Sequence, residues 1–174
     1  AAPGEFATFV DRCEELGFDS LWLSERVNAI APDPMIALAV AAGRTERLKF
    51  GTSVLVLPGR NPVLLAKEMA TLDVLSSGRF LPAVGLGAVD AAEQRAFGVQ
   101  RETRGRMHDE SLALMRACWT GEPVSFHGEF WDIDDVCVLP KPAQARLEVW
   151  LGGIAPSELR RVGRVGGPAR AHEG

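Results

Sequence analysis

Apolar positions recur along the chain in two rhythms. From Glu5 to Leu16 the residues Phe6, Phe9, Val10, Cys13 and Leu16 fall at three- and four-residue spacings, which predicts an amphipathic helix ended by Gly17. The run Phe18 to Ser24 is short, apolar and aromatic, and predicts a buried strand with the polar tip Glu25-Arg26. Asp33-Pro34 and Asn61-Pro62 are helix starts, because a side-chain oxygen can accept from free N–H groups and Pro has no N–H to leave unpaired. They open helices over Met35 to Gly43 and Val63 to Ser77, the second closed by Gly78. Strands are predicted over Leu48 to Leu57, Phe80 to Leu86 and Leu147 to Leu151. A short helix over Asp90 to Ala96 precedes a longer one over Arg101 to Trp119, with Met107, Leu114, Met115 and Cys118 on one face. Val124 to Val138 reads as a hairpin turning around or just after Gly128, and Pro156 opens a last helix through Arg164.

Apart from the hairpin, strands alternate with helices, so the strands are parallel and the helices are their crossovers. A barrel and a doubly wound sheet both satisfy that order.

Composition narrows the function classes. The 174 residues give one domain with a sizeable core, and no apolar run approaches the length of a membrane-spanning helix. A net charge of −4 with Arg101, Arg104 and Arg106 interleaved among acids argues against nucleic acid as a partner. Cys13, Cys118 and Cys137 are far apart and odd in number, which fits reduced thiols of the core in a cytoplasmic protein. His108, His127 and His172 show no metal-ligand spacing, and no metal is expected. Asp132, Asp134 and Asp135 read as a solvated face of the hairpin.

Ligands of parallel architectures sit at the carboxyl ends of the strands, which selects the residues that follow each strand. Gly152-Gly153 before a helix suits a phosphate, and a tight turn needs the same glycines. Gly85-Leu86-Gly87 lacks the third glycine of a dinucleotide fingerprint. Glu25 and Arg26 could polarise a substrate or orient a cofactor, and charged residues also mark any exposed strand tip.

As a set, Gly17-Phe18-Asp19-Ser20-Leu21-Trp22, Gly51-Thr52-Ser53-Val54-Leu55, Asn61-Pro62-Val63-Leu64-Leu65-Ala66-Lys67-Glu68 and Ala70-Thr71-Leu72-Asp73 resemble the luciferase-like monooxygenase family. Ser77-Gly78-Arg79-Phe80, Trp119-Thr120-Gly121-Glu122, Leu139-Pro140-Lys141-Pro142 and Trp150-Leu151-Gly152-Gly153 extend the match to about Gly166, with the branch that uses the deazaflavin coenzyme F420 nearest in pattern. The resemblance implies a (β/α)8 TIM barrel whose cofactor lies across the strand ends and exchanges hydride with a small organic substrate. FMN-dependent monooxygenation is the near alternative, and an inactive fragment the distant one. It further implies a cis peptide between Ser53 and Val54 behind the ring, a cofactor-flanking strand end at Gly85, Leu86, Gly87 and Ala88, and cofactor phosphate contacts at Gly152, Gly153 and Ile154. Glu25 and Arg26 match the catalytic and cofactor-facing strand tip. Some deazaflavin dehydrogenases of the family carry an acid at the Ala88 position and a His at the Arg26 position, and this chain has neither.

By the same resemblance, residues 1–166 cover strands two to five of the barrel with a hairpin insertion at about 122–140, and 167–174 form an atypical tail. A barrel of this kind takes about 250 residues. A fragment, or a reading frame disturbed near Gly166, is therefore expected, with room for a homodimer of the full-length protein.

Overall fold

The computed structural model describes residues 4–87, 90–153, 159–161 and 163. In chain order the elements are α1 (Glu5–Glu15), β1 (Ser20–Leu23), α2 (Pro34–Arg44), β2 (Lys49–Thr52), β3 (Leu55–Val56), α3 (Pro62–Leu75), β4 (Phe80–Leu81) and β5 (Ala83–Gly85). They continue with α4 (Ala91–Ala96), α5 (Arg104–Cys118), β6 (Val124–His127), β7 (Asp132–Val136) and β8 (Trp150–Leu151). Both Pro-led helices start as read: Asp33 accepts from the Ile36 N–H at 3.0 Å, and Asn61 accepts from Val63 and Leu64.

All strands outside the hairpin are parallel, in the orders β1-β2-β4 and β3-β5-β8. The expected strand from Leu48 to Leu57 is two strands, separated at the cis Ser53–Val54 peptide, and Phe80 to Leu86 is likewise two, separated at Pro82. One side chain joins the halves. The buried Thr52 hydroxyl donates to the Ala83 carbonyl at 2.6 Å and accepts the Ala83 N–H at 2.9 Å, replacing ladder bonds where the pairing shifts. The wall thus reads β1, then β2 continued by β3, then β4 continued by β5, then β8. Ordered pairing of the last strand is confined to Trp150–Leu151, although Leu147 and Val149 are buried as expected.

The core lies between this wall and the helices. Phe50 and Phe80 are fully buried with ring centroids 6.3 Å apart, under Leu38, Leu65, Met69, Leu112 and Met115. Each such side chain contributes about 1.5–3 kcal/mol of burial. Trp22 and Trp150 meet across the wall with centroids 5.4 Å apart. Two residues of the expected α1 stripe, Phe9 and Leu16, are exposed, because α1 rests on α2 through the Val10 and Cys13 side alone. Cys137, expected in the core, is also exposed, since it follows the outward strand of the hairpin. The first turn of the longer predicted helix starts late, at Arg104.

Polar staples fix the connections. Arg79 donates to the carbonyls of Ser76, Leu48, Ala42 and Thr45 and to the Thr45 hydroxyl, at 2.7–3.0 Å, with its guanidinium 5.3 Å from the Phe50 ring centre. Glu14 accepts from the N–H groups of Glu46, Arg47 and Leu48 at the entry to β2. Glu110 accepts from Glu129, Phe130 and Trp131 and holds the hairpin turn on α5.

A lysine has neither the planar fork nor the number of donors to replace Arg79. Arg79→Lys is expected to cost about 3 kcal/mol, from carbonyls left without partners in a part-buried junction. Urea unfolding of the two proteins measures it, and a loss under about 0.5 kcal/mol, the size of an ordinary surface change, would remove Arg79 as a staple.

Candidate functional site

The sequence-selected residues come from separate strands and meet at one place. Ser24, Glu25 and Arg26 leave β1; Ser53 and Val54 lie between β2 and β3; Gly85, Leu86 and Gly87 end β5; Gly152 and Gly153 end β8. Backbone bonds tie them together: Ser53 donates to Leu23 at 2.8 Å, Glu25 to Val54 at 3.2 Å, Leu57 to Gly85 at 3.1 Å and Gly152 to Val84 at 2.8 Å. The Ser24 hydroxyl donates to the Ser53 carbonyl. Ala88 and Ile154 lie outside the described residues, as does the start of the helix expected from Pro156 and the segment 167–174.

Val54 is the hub. A Cβ placed on Gly85 would stand 2.8 Å from Val54 Cγ2, and one on Gly152 would collide with Val54 Cγ1. The two glycines are therefore required by the valine that wedges between their strands, a packing reason distinct from phosphate binding. Gly87 sits in the turn beside Val56, and Gly153 is exposed beyond the wall.

Glu25 is buried and fully engaged. One carboxylate oxygen accepts the Val56 N–H at 2.7 Å and the other pairs with Arg60, whose Nε donates to the Val56 carbonyl at 3.0 Å. Glu25 and Arg60 together thus clamp both backbone groups of Val56, its N–H and its carbonyl, just beyond Ser53–Val54. Burial raises the Glu25 carboxyl above its ordinary value, while the Val56 N–H and the Arg60 guanidinium pull part of that rise back. Arg26 is exposed and joins Glu93 of α4, Nε to Oε1 at 3.0 Å.

Arg60 and Glu93 were missed from sequence. Arg60 hides in the Pro58-Gly59 break before a helix cap, and Glu93 stands three residues after Asp90, where it reads as the far end of a capping box. Thr52 sits inside an apolar run and gave no signal beyond its type. A cavity of about 860 Å³ runs along residues 141–151 beside Arg116 and Trp119 and includes none of Ser24, Glu25, Arg26, Ser53, Gly85 or Gly152. Among the described residues no three His, Cys, Asp or Glu side chains gather as a metal site, and no helix is long and apolar enough to cross a membrane.

Two expectations follow. Gly152→Ala should destabilise the protein by about 2 kcal/mol through overpacking, and Val54→Ala should recover about 1 kcal/mol of that loss in the double variant. Strict additivity in urea unfolding would deny the contact. For Glu25 the folded state binds a proton more readily than the unfolded chain. Its contribution to stability is thus fully present below the unfolded value and is lost as pH rises through the raised folded value. The stability of the native protein relative to Glu25→Gln should fall as pH rises from the ordinary glutamate range, and a rise instead would mean that Arg60 outweighs burial.

Residues 1–172 match the luciferase-like monooxygenase family. Two curated relatives named F420-dependent glucose-6-phosphate dehydrogenase are 34% identical in Kineococcus radiotolerans and 33% identical in Intrasporangium calvum. The matches cover 95% and 94% of this chain but 51% and 52% of those proteins, so the chain spans about half the length of the curated relatives it matches. Among solved structures, the monooxygenase RslO1 from Streptomyces bottropensis aligns with a TM-score of 0.84 at 27% identity, over 93% of this chain and 51% of that one. An F420-dependent secondary alcohol dehydrogenase, in complex with an F420-acetone adduct, aligns with a TM-score of 0.81 at 25% identity, over 95% and 52%. The parallel wall with its outer helices is part of the (β/α)8 barrel of these enzymes, and the chain belongs to the luciferase-like monooxygenase family.

Proposed function

We propose that this chain forms one side of the active site of an F420-dependent oxidoreductase, which exchanges hydride between the deazaflavin and a small organic substrate in the cytoplasm. The observation that carries the reading is the convergence of Ser53–Val54, the Glu25–Arg60 clamp and the strand ends at Gly85 and Gly152 on one mouth. Relatives named as F420-dependent enzymes at 34% and 33% identity support the choice of cofactor.

The residues fit a flat ring lying across the strand ends. A side chain larger than glycine at position 85 or 152 would displace Val54, and the exposed Ser53 and Gly153 leave backbone bare on either side. F420, when bound, supplies hydride chemistry at C5 of its deazaflavin. Ser53 and Val54 would back the ring, Gly85, Leu86 and Gly87 would flank it, and Gly152 and Gly153 would face its phosphate. Glu25 holds the Val56 peptide in place through Arg60, and Arg26 faces the substrate side. The relatives' glucose 6-phosphate is not carried over, because Arg26 and Ala88 stand where the resemblance leads one to expect a His and an acid. FMN with oxygen is the competing cofactor chemistry, supported by the likeness to the monooxygenase RslO1.

Titration of the purified protein with F420 and with FMN, with oxygen uptake followed during turnover, separates the two. Binding of F420 in preference to FMN, with no oxygen consumed, is the expected result. Preferential FMN binding with oxygen uptake would overturn it. Glu25→Gln should weaken F420 binding about tenfold, the equivalent of one charge-assisted hydrogen bond lost from the clamp.

A further inference from the structure

We propose that Glu93 is a positioning residue that turns Arg26 into a fork for a substrate oxyanion, a carboxylate or a phosphate. The inference rests on the reading of the strand ends as the substrate side of the site, and it adds a residue and a substrate class to it.

The pair is asymmetric. The Glu93 side chain is 6% exposed and that of Arg26 is 51% exposed. A carboxylate so buried has given up its hydration, and a single half-exposed partner repays that poorly in stability. What the arrangement supplies is orientation. Glu93 takes the Arg26 Nε at 3.0 Å, and the two terminal nitrogens have no protein partner among the described residues. A guanidinium held at Nε offers the edge formed by those two nitrogens, which matches two oxygens of one carboxylate or phosphate.

The position of Glu93 is itself determined. Its backbone N–H is capped by Asp90 at 2.8 Å, at the start of α4. Glu93 also lines a cavity of about 10 Å³ with Val56, Gly87 and Arg104, the last having a buried Nη1 with no hydrogen-bond partner among the described residues. That space is no larger than a water molecule requires, so the cluster is not a ligand pocket and its output is the exposed end of Arg26.

The test reads Arg26 directly, by its rate of modification with phenylglyoxal in the purified protein, mapped by peptide mass spectrometry. Acetate and chloride carry the same charge, and only acetate can take two parallel N–H bonds. Acetate should protect Arg26 at about fivefold lower concentration than chloride in the native protein, and in Glu93→Gln that ratio should fall to about one. If Glu93 acted only through its charge, Glu93→Gln would strengthen protection by both anions and keep the ratio, and a retained ratio overturns the proposal. Phosphate is run as a third arm: protection better than acetate assigns a phosphate, and worse assigns a carboxylate. Arg79, held by its staple, reports folding by staying unmodified. Should Glu93→Gln expose it, Asp90→Ala, which removes only the cap, is read in its place and should lower the ratio by a smaller factor; an unchanged ratio there overturns the proposal equally. F420 titration alongside keeps the two readings apart. Loss of F420 binding with the protection ratio intact overturns the cofactor assignment alone, whereas an unprotected Arg26 overturns this proposal whatever F420 does.

Discussion

The Thr52 hydroxyl holds two backbone groups of one residue, the N–H and the carbonyl of Ala83, and the strand-end side of the wall depends on that double bond. Pro82 has no N–H to give, so a simple ladder cannot run from β4 into β5. With Thr52 in the gap, no buried polar group of Ala83 is orphaned, and β5 can take β3 as its neighbour. That change of partner brings Val54 over Gly85 and Gly152. A valine at position 52 would keep the shape and strand both groups, at a cost of about 1–3 kcal/mol for each group left unpaired.

The other polar contacts serve a complementary end. Arg79, Glu14 and Glu110 each gather several backbone partners and fasten a loop or turn to a helix. Asp73 does the same for the approach to β8, accepting from the Gln144 backbone and side chain. These groups tie the connections to the helical layer. At the carboxyl ends the charged side chains pair with one another, Glu25 with Arg60 and Arg26 with Glu93, and the first pair also holds the Val56 backbone.

Much of this was legible in the sequence, for identifiable reasons. Asp33-Pro34 and Asn61-Pro62 each state a helix start by a local rule, and both hold. The strand breaks at Ser53–Val54 and Pro82 could not be seen from periodicity, because apolar buried residues resume directly after each break, at Leu55 and at Ala83. The resemblance, not the pattern, pointed to the first of them. Glu25 and Arg26 were readable as a strand tip, but their partners Arg60 and Glu93 lie 35 and 67 residues away, and no local rule links positions so far apart. Phe9 and Leu16 satisfy a helical stripe equally well whether one side or both sides of α1 are covered, and the pattern cannot tell which.

The pairing also bears on which strand-tip group handles protons. A general base needs a free lone pair within reach of the substrate. Both oxygens of Glu25 are engaged, by the Val56 N–H and by Arg60, and the side chain is buried. Abstracting a substrate proton would break one of those bonds and loosen the peptide that follows Ser53–Val54. Arg26 presents only N–H donors and no lone pair to accept a proton. The two acids and two arginines of this mouth are therefore committed to ion pairs, an arrangement that fits the proposed hydride transfer, in which a cofactor would carry the electrons and the protein would supply orientation and charge.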